Sequence, residues 1–451
     1  MAQARPTRNS LPLPKEPVHR ITAPILRFIH VQSASGVVLL LATIAALVVA
    51  NGAAAEAVHH LWTTPIGISI GDFSLNLSLE HWVNDGLMAI FFFVVGLEVK
   101  REIVLGELRQ LRKAALPIAA ALGGMLAPAL IYLALQRGEP GERGWGIPMA
   151  TDIAFVVGCM AVLGNRVPHG LRVMLLSLAI VDDIGAILVI AVAYSSNLHT
   201  DWLLAAVVGL ILVHLAARAG VRSFAPYVVL GAFVWLAVHE SGIHATIAGV
   251  VLGLMTPARS YINRGLFGEI LDRLGDVWQG DDDASHAPDN AEKVRRIQWA
   301  ARETLSPLEY LESTLHPWVA FLIMPIFALA NAGVAFELGR LADPVAIAVA
   351  VGLLVGKPLG VFAFCYASVR MKIAALPAGV GWGMIAAGGC LSGIGFTMAL
   401  FIANLALAPL GDEVLSAGKI GVLCGSAAAA IIGMGMFLAL PNGRRRADAL
   451  P

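Results

Sequence analysis

The sequence predicts an all-α polytopic membrane protein with about 12 transmembrane helices. Three observations carry that prediction. First, 58% of the 451 residues are hydrophobic and only 14% are charged, against about 25% charged in a soluble domain. Second, the apolar residues fall in blocks of about 20, the length a helix needs to cross a bilayer. Inside lipid the backbone has no other partner than its own helix. Third, the basic residues are segregated. Arg and Lys mark cytoplasmic loops, and 26 of the 31 lie in the two tails and in alternate loops.

The blocks, in order, are 34–52, 82–99, 115–135, 145–163, 171–194, 202–217, 225–239, 241–256, 315–336, 345–367, 380–404 and 416–440. An even count puts both termini on one side, and the charge bias makes that side cytoplasmic. Residues 1–33 then form a cytoplasmic tail, 34–440 the transmembrane domain and 441–451 a second cytoplasmic tail. Inside the domain, 257–314 is the one long loop. Val294, Ile297, Ala301 and Leu305 recur there at helical spacing, as an amphipathic surface helix would require. The segment 67–80 alternates like a hairpin and suits a homodimer contact. The four cysteines lie in apolar blocks and read as small hydrophobes. Zero net charge argues against nucleic acid as a partner.

An ionisable side chain at membrane depth costs several kcal/mol and is a functional candidate by default. Asp85, Glu98, Asp152, Asp182, Asp183 and Lys357 are the set here. A buried structural ion pair is the competing reading for Asp85 and Lys357, and Glu98 sits near enough to a block end to snorkel. The pair in "AIVDDIGAILVI" resists a purely structural account. Helical neighbours point about 100° apart, and one lysine cannot neutralise three acids. Either some carboxyls are protonated or a cation sits among them. Carboxylate oxygens are hard ligands suited to small cations, so proton and cation would compete for one water-accessible site.

Two blocks look interrupted. "GWGIPMATDIAFVVG" carries Pro148, which removes a helical hydrogen bond. "GWGMIAAGGCLSGIGFTMALFI" carries Gly388, Gly389, Gly393 and Gly395. They are the middle members of blocks three to five and ten to twelve, and matched interruptions point to a transport site between inverted repeats. Opposed half-helix ends would carry partial charges. Asp152 is expected to neutralise the first broken helix and Lys357 the second.

Seven segments complete the reading: "HWVNDGLMAIFFFVVGLEVKRE", "MATDIAFVVG", "LAIVDDIGAILVIA", "SGIHATIAGV", "LHPWVAFLIMPIFALANAG", "VGKPLG" and "LSGIGFTMALFIANLA". Together they closely resemble the NhaA sodium/proton antiporters of bacterial inner membranes, over about residues 35–440. That family is itself a standard example of inverted repeats. The resemblance implies exchange of cytoplasmic Na+ or Li+ for external H+, electrogenic and pH-regulated, with no cofactor and no enzymatic activity. It implies that Asp182 and Asp183 carry cation and proton, with Asp183 the more direct cation ligand. Thr151 and Asp152 lie at the broken-helix crossing, Thr151 joining the two aspartates around Na+, and Lys357 pairs with Asp182 when no ion is bound. It implies that Asp85, Glu98 and Glu102 line the cytoplasmic entrance, and that His244 and Glu312 belong to the pH response. Ser313 stands where the family pattern has histidine, a change on the regulatory face that leaves exchange by the two aspartates intact. A proton-coupled symporter of a small organic solute is the alternative; it would need polar or aromatic groups around a larger substrate, and none cluster near the pair.

Overall fold

The computed structural model describes residues 32–440 except 72, 196–197, 222, 261–268, 270–294, 296–303 and 336–337. The two tails (bar residues 32–33) and the amphipathic helix expected around Val294, Ile297 and Ala301 lie outside the described residues.

The chain enters as α1, Gln32–Ala50, and turns through 111° at Asn51–Ala54 into the short α2, Ala55–Thr63. Asn51 fixes the corner by donating to Val334 O (2.9 Å). The alternating segment forms a hairpin, β1 (Pro65–Ile70) against β2 (Phe73–Ser78), antiparallel and in register from Pro65↔Ser78 to Ile70↔Phe73. Gly71 takes the positive φ, 62°, that the turn requires.

The remaining helices follow the apolar blocks. They are α3 (Met88–Val104), α4 (Leu111–Leu135), α5 (Ile153–Leu163), α6 (His169–Ala193), α7 (Thr200–Arg218), α8 (Phe224–Glu240), α9 (Thr246–Met255), α10 (Pro307–Trp318), α11 (Met324–Asn331), α12 (Pro344–Val351), α13 (Lys357–Arg370), α14 (Trp382–Ser392), α15 (Phe396–Leu407) and α16 (Asp412–Ala439). Among the described residues, six continuous helices are long and apolar enough to cross a bilayer, and nine if each bent pair is one span. The α8 and α9 segments are shorter, so length and composition leave the expected count of twelve open. The exposed side chains support lipid contact: Val192 and Val162 are 84% and 81% exposed, a pattern water would penalise.

One boundary differs from the expectation. The helix of block nine begins at Pro307, inside the stretch read as loop. Ser306 and Glu309 form a reciprocal capping box there, with Glu309 N donating to Ser306 Oγ (3.2 Å) and Ser306 N to Glu309 Oε2 (3.0 Å). The polar run "LEYLES" hides the helix from a hydropathy reading.

Three stretches are π-helical: Trp82–Leu87 before α3, Val319–Ile323 before α11 and Gly352–Gly356 before α13. Two have an evident cause. Pro325 and Pro358 lack the N–H and crowd the carbonyl four residues back, which falls inside each bulge. The stretch Gly352–Gly356 runs directly into Lys357, the first residue of α13.

Helix α4 crosses α13 at glycines. A Cβ on Gly123 would lie 2.2 Å from Gly360 O, and one on Gly360 would lie 2.0 Å from Gly123 O. Small residues here let two backbones touch. Gly123→Val or Gly360→Val is therefore expected to cost about 1–3 kcal/mol through overpacking. A lowered Tm in detergent checks this. Gly435→Ala, where a new Cβ meets nothing within 4 Å, is expected to leave Tm unchanged.

Candidate functional site

Both interrupted blocks are broken helices, and they cross. The first runs as a 3-10 segment, Pro140–Met149, extends through Ala150–Asp152 and resumes as α5, with a 44° bend. The second leaves the helical path after Ser392, resumes at Phe396 and bends by 47°. Their backbones meet directly: Asp152 N donates to Ile394 O (2.6 Å), and a Cβ on Gly395 would sit 3.0 Å from Ala150 O. A larger residue at 395 would wedge the crossing apart.

Asp152 lies 2% exposed between two helix amino ends. Its Oδ1 accepts from Phe155 N (3.2 Å) as the N-cap of α5. Its Oδ2 accepts from Thr397 N (3.1 Å) and from the Thr397 hydroxyl, in the first turn of α15. One carboxylate thus faces the positive ends of both broken helices. Ser426 of α16 supports the second, accepting from Gly395 N (3.3 Å) and Phe396 N (3.2 Å). The expected division of labour is corrected here. Lys357 does not sit at the second break. It donates to Met149 O, the last carbonyl of the first segment before the break.

Lys357 and Asp182 are buried together, Nζ to Oδ2 2.9 Å. The Thr151 hydroxyl lies 2.7 Å from the same Oδ2 and 3.0 Å from Ser392 O. It has one proton for two acceptors, so it can bond the carboxylate or the broken helix, and its oxygen keeps lone pairs free for a cation. Asp182 Oδ1 is buried without a hydrogen-bond partner.

Asp183 is 3% exposed, and its carboxylate has no hydrogen bond or ion pair to a described residue. It lies within the fields of Asp182, Glu98, Asp152 and Lys357. Helical geometry explains the contrast: adjacent residues of α6 point about 100° apart, so Asp182 meets Lys357 and Thr151 while Asp183 turns away. The site therefore holds three buried carboxylates and one ammonium. Leaving buried charge uncompensated is costly, so this cavity needs protons or a cation to be stable.

The five other candidates do not form one cluster. Glu98, Glu102 and Glu312 gather at the far end of α3. Arg101 pairs with Glu312, and Glu102 Oε1 accepts from Glu107 N (2.9 Å) and lies 3.3 Å from Ser177 Oγ of α6. Glu98 feels the charges of Glu312 and Arg101. Asp85 is 13 residues earlier, about 20 Å away along the helix. It lies 3.7 Å from His239 Nδ1 and within the field of His244. Asp85 and His244 thus belong together, apart from the three glutamates. Ser313 donates to its own helix at Tyr310 O (3.0 Å) and does not join the Glu312 pair.

Sequence reading missed His239, Thr397, Ser426 and the Met149 and Ser392 carbonyls. Thr397 follows the glycine run by two residues and was findable as a cap to the break. The carbonyls carry no sequence signal.

Residues 26–437 match the family described as Na+/H+ antiporter 1. The chain is 54% identical to the Na+/H+ antiporter NhaA of Rhodopirellula baltica, over 97% of this chain and 98% of that one. It is 49% identical to Na+/H+ antiporter NhaA 2 of Acidiphilium cryptum, over 98% of each chain. It is 48% identical to the NhaA of Rhizobium meliloti, over 96% of this chain and 98% of that one. With identity at this level sustained across nearly the whole length, the chain belongs to the NhaA-type Na+/H+ antiporter 1 family.

Proposed function

We propose that this multi-pass bacterial inner-membrane protein exchanges cytoplasmic Na+ or Li+ for external protons at Asp182 and Asp183. The observation that carries the reading is the deficit of positive charge: Lys357 compensates only one of the three buried carboxylates, and Asp182 Oδ1 faces no donor. Without ion, Lys357 holds Asp182 and protons neutralise the remainder. An arriving Na+ takes oxygens from Asp183, Asp182 and Thr151, loosening Lys357 and expelling protons. Asp152 stays engaged at the two helix ends throughout, as a fixed counter-charge to them. If both aspartates cycle, two protons move per ion and exchange is electrogenic. The inward proton gradient then drives Na+ out, as the crossing alternates its exposure between the two faces.

The finer topology belongs to the same proposal. Twelve spans in two inverted repeats, three to five and ten to twelve, with both termini cytoplasmic, are supported by the charge bias. The glycine crossing of α4 with α13, each preceding a broken helix, also supports them. Glu98, Glu102 and Glu312 then face the cytoplasm and shape its acidic entrance. Asp85 with His239 and His244 forms a second titratable group towards the opposite face. The hairpin is proposed as a dimer contact. The names of the relatives lend no support to a solute symporter.

Asp183→Asn is expected to abolish Na+-dependent collapse of a pH gradient in inverted vesicles at every pH. Tm should hold or rise, because the amide is neutral without a proton or cation to compensate it. Retained turnover would refute the assignment. In the wild type, the apparent KM for Na+ is expected to rise about tenfold per pH unit for each competing proton as pH falls. A pH-independent KM between pH 6 and 8 would contradict the competition. Thr151→Val keeps the shape and removes an oxygen. It is expected to raise the Na+ KM about tenfold, with kcat changed less; an unchanged KM removes Thr151 from the ion's coordination.

A further inference from the structure

Three asparagines from three helices meet at the end of the molecule away from the acidic cluster. Asn84 in the π-helical lead into α3 and Asn331 at the end of α11 form a reciprocal amide pair, Asn84 Nδ2 to Asn331 Oδ1 3.2 Å and Asn331 Nδ2 to Asn84 Oδ1 2.8 Å. Asn404 of α15 donates its amide to the same Asn331 Oδ1. Asn331 is fully buried, and its Nδ2 is also anchored to Phe327 O (2.9 Å). It is the node: its oxygen serves both partners, and its nitrogen holds its own helix.

An aromatic layer lies directly beneath. Phe92 and Phe327 pack on Phe401, ring centroids 5.4 and 6.2 Å away, and all three are at most 1% exposed. The same three helices supply both layers. Phe327 and Asn331 are four apart, Phe401 and Asn404 three apart, and Asn84 and Phe92 eight apart, so each pair shares a helix face. Position along the helices locates the layers. Asn84 is 14 residues from Glu98, about 21 Å along the helix. Phe401 is one turn and Asn404 about 10 Å beyond Thr397, the partner of Asp152. The two layers therefore stand next to the ion site, on the side opposite Glu98 and Glu312.

We propose that these layers are the seal that closes the site towards the face opposite the acidic entrance, with Asn331 as its positioning residue. Asn404 rides on α15, the half-helix that leaves the break, whereas Asn84 and Asn331 stand on helices without that break. The Asn331–Asn404 bond is thus the one that separates when α15 moves, and the Asn84–Asn331 pair persists. A polar bond suits this task. Its partners can be rehydrated when the pathway opens, whereas the phenyl layer excludes water when it closes. The inference rests on the alternating exposure proposed above.

The test is hydrogen exchange of the full-length protein in detergent, read by mass spectrometry, alongside vesicle transport. Interhelical hydrogen bonds in membrane proteins average modest strength, and losing one or two shifts a two-state ratio by about three- to eightfold. Asn404→Ala is expected to speed exchange of peptides covering 84–92, 327–331 and 398–407 by about that factor, leaving 98–107 unchanged. Because the open state is the minor one, the closed, Na+-competent state remains the major one, so the apparent Na+ KM on the acidic side and kcat both stay within about twofold. Asn84→Ala breaks only the persistent pair and is expected to change exchange less than twofold. A lowered Tm without faster exchange at the three segments, or uniform acceleration throughout, overturns the proposal. So does an Asn84→Ala effect equal to that of Asn404→Ala. Phe401→Leu thins the plug and is expected to act in the same direction, which covers failure of Asn404→Ala to fold. Repeating the exchange measurement on Asp183→Asn/Asn404→Ala reads the seal without transport. A failed seal there leaves the exchange mechanism standing, and a failed mechanism leaves the seal measurable.

Discussion

One ammonium shared among three buried carboxylates is the constraint on which the rest of the structure depends. Lys357 satisfies one oxygen of Asp182 and the Met149 carbonyl; Asp152 is satisfied by the two helix ends. Asp183 and the second oxygen of Asp182 are left over. In a low-dielectric interior such a remainder is not tolerated empty-handed. The cavity binds whichever small positive species is available, and that is the physical basis of an exchanger: one species leaves because another can take its place.

The broken helices are what make this remainder addressable. An intact helix satisfies its own backbone and offers a ligand only side chains. Two interrupted helices crossing at Ala150–Asp152 and Gly393–Gly395 expose carbonyls and amides at membrane depth, and one aspartate stabilises both amino ends. Because Asp152 is committed to holding the crossing together, it is separated in role from Asp182 and Asp183, although all three are acids in the same pocket. The π-helical turn before Lys357 belongs to the same logic. Pro358 forces an irregular turn at the point where the lysine must reach across to another helix.

Legibility in the sequence followed the cost of each feature. Asp182, Asp183, Asp152 and Lys357 stood out because ionisable groups in apolar blocks are expensive. The break just after Pro148 and the hairpin were readable from backbone chemistry and alternation. The roles of the residues came from family resemblance, since spacing alone left a protonated site and a cation site equally open. What stayed hidden depends on neighbours distant in sequence: the double duty of Asp152, the lysine's carbonyl partner and the separation of Asp85 from Glu98 by about 20 Å. The asparagine triad was invisible for a different reason. Single asparagines in apolar helices carry no pattern until three of them meet. The span count was obscured by short helices such as Thr246–Met255, and the start at Pro307 by its polar first turns.

The central claim is that Na+ and H+ occupy the same oxygens. Calorimetric titration of Na+ into the purified protein, in two buffers of different ionisation enthalpy, counts the protons expelled per ion bound. The account predicts release of between one and two protons across the active pH range. Sodium binding that expels no proton at any pH would contradict it.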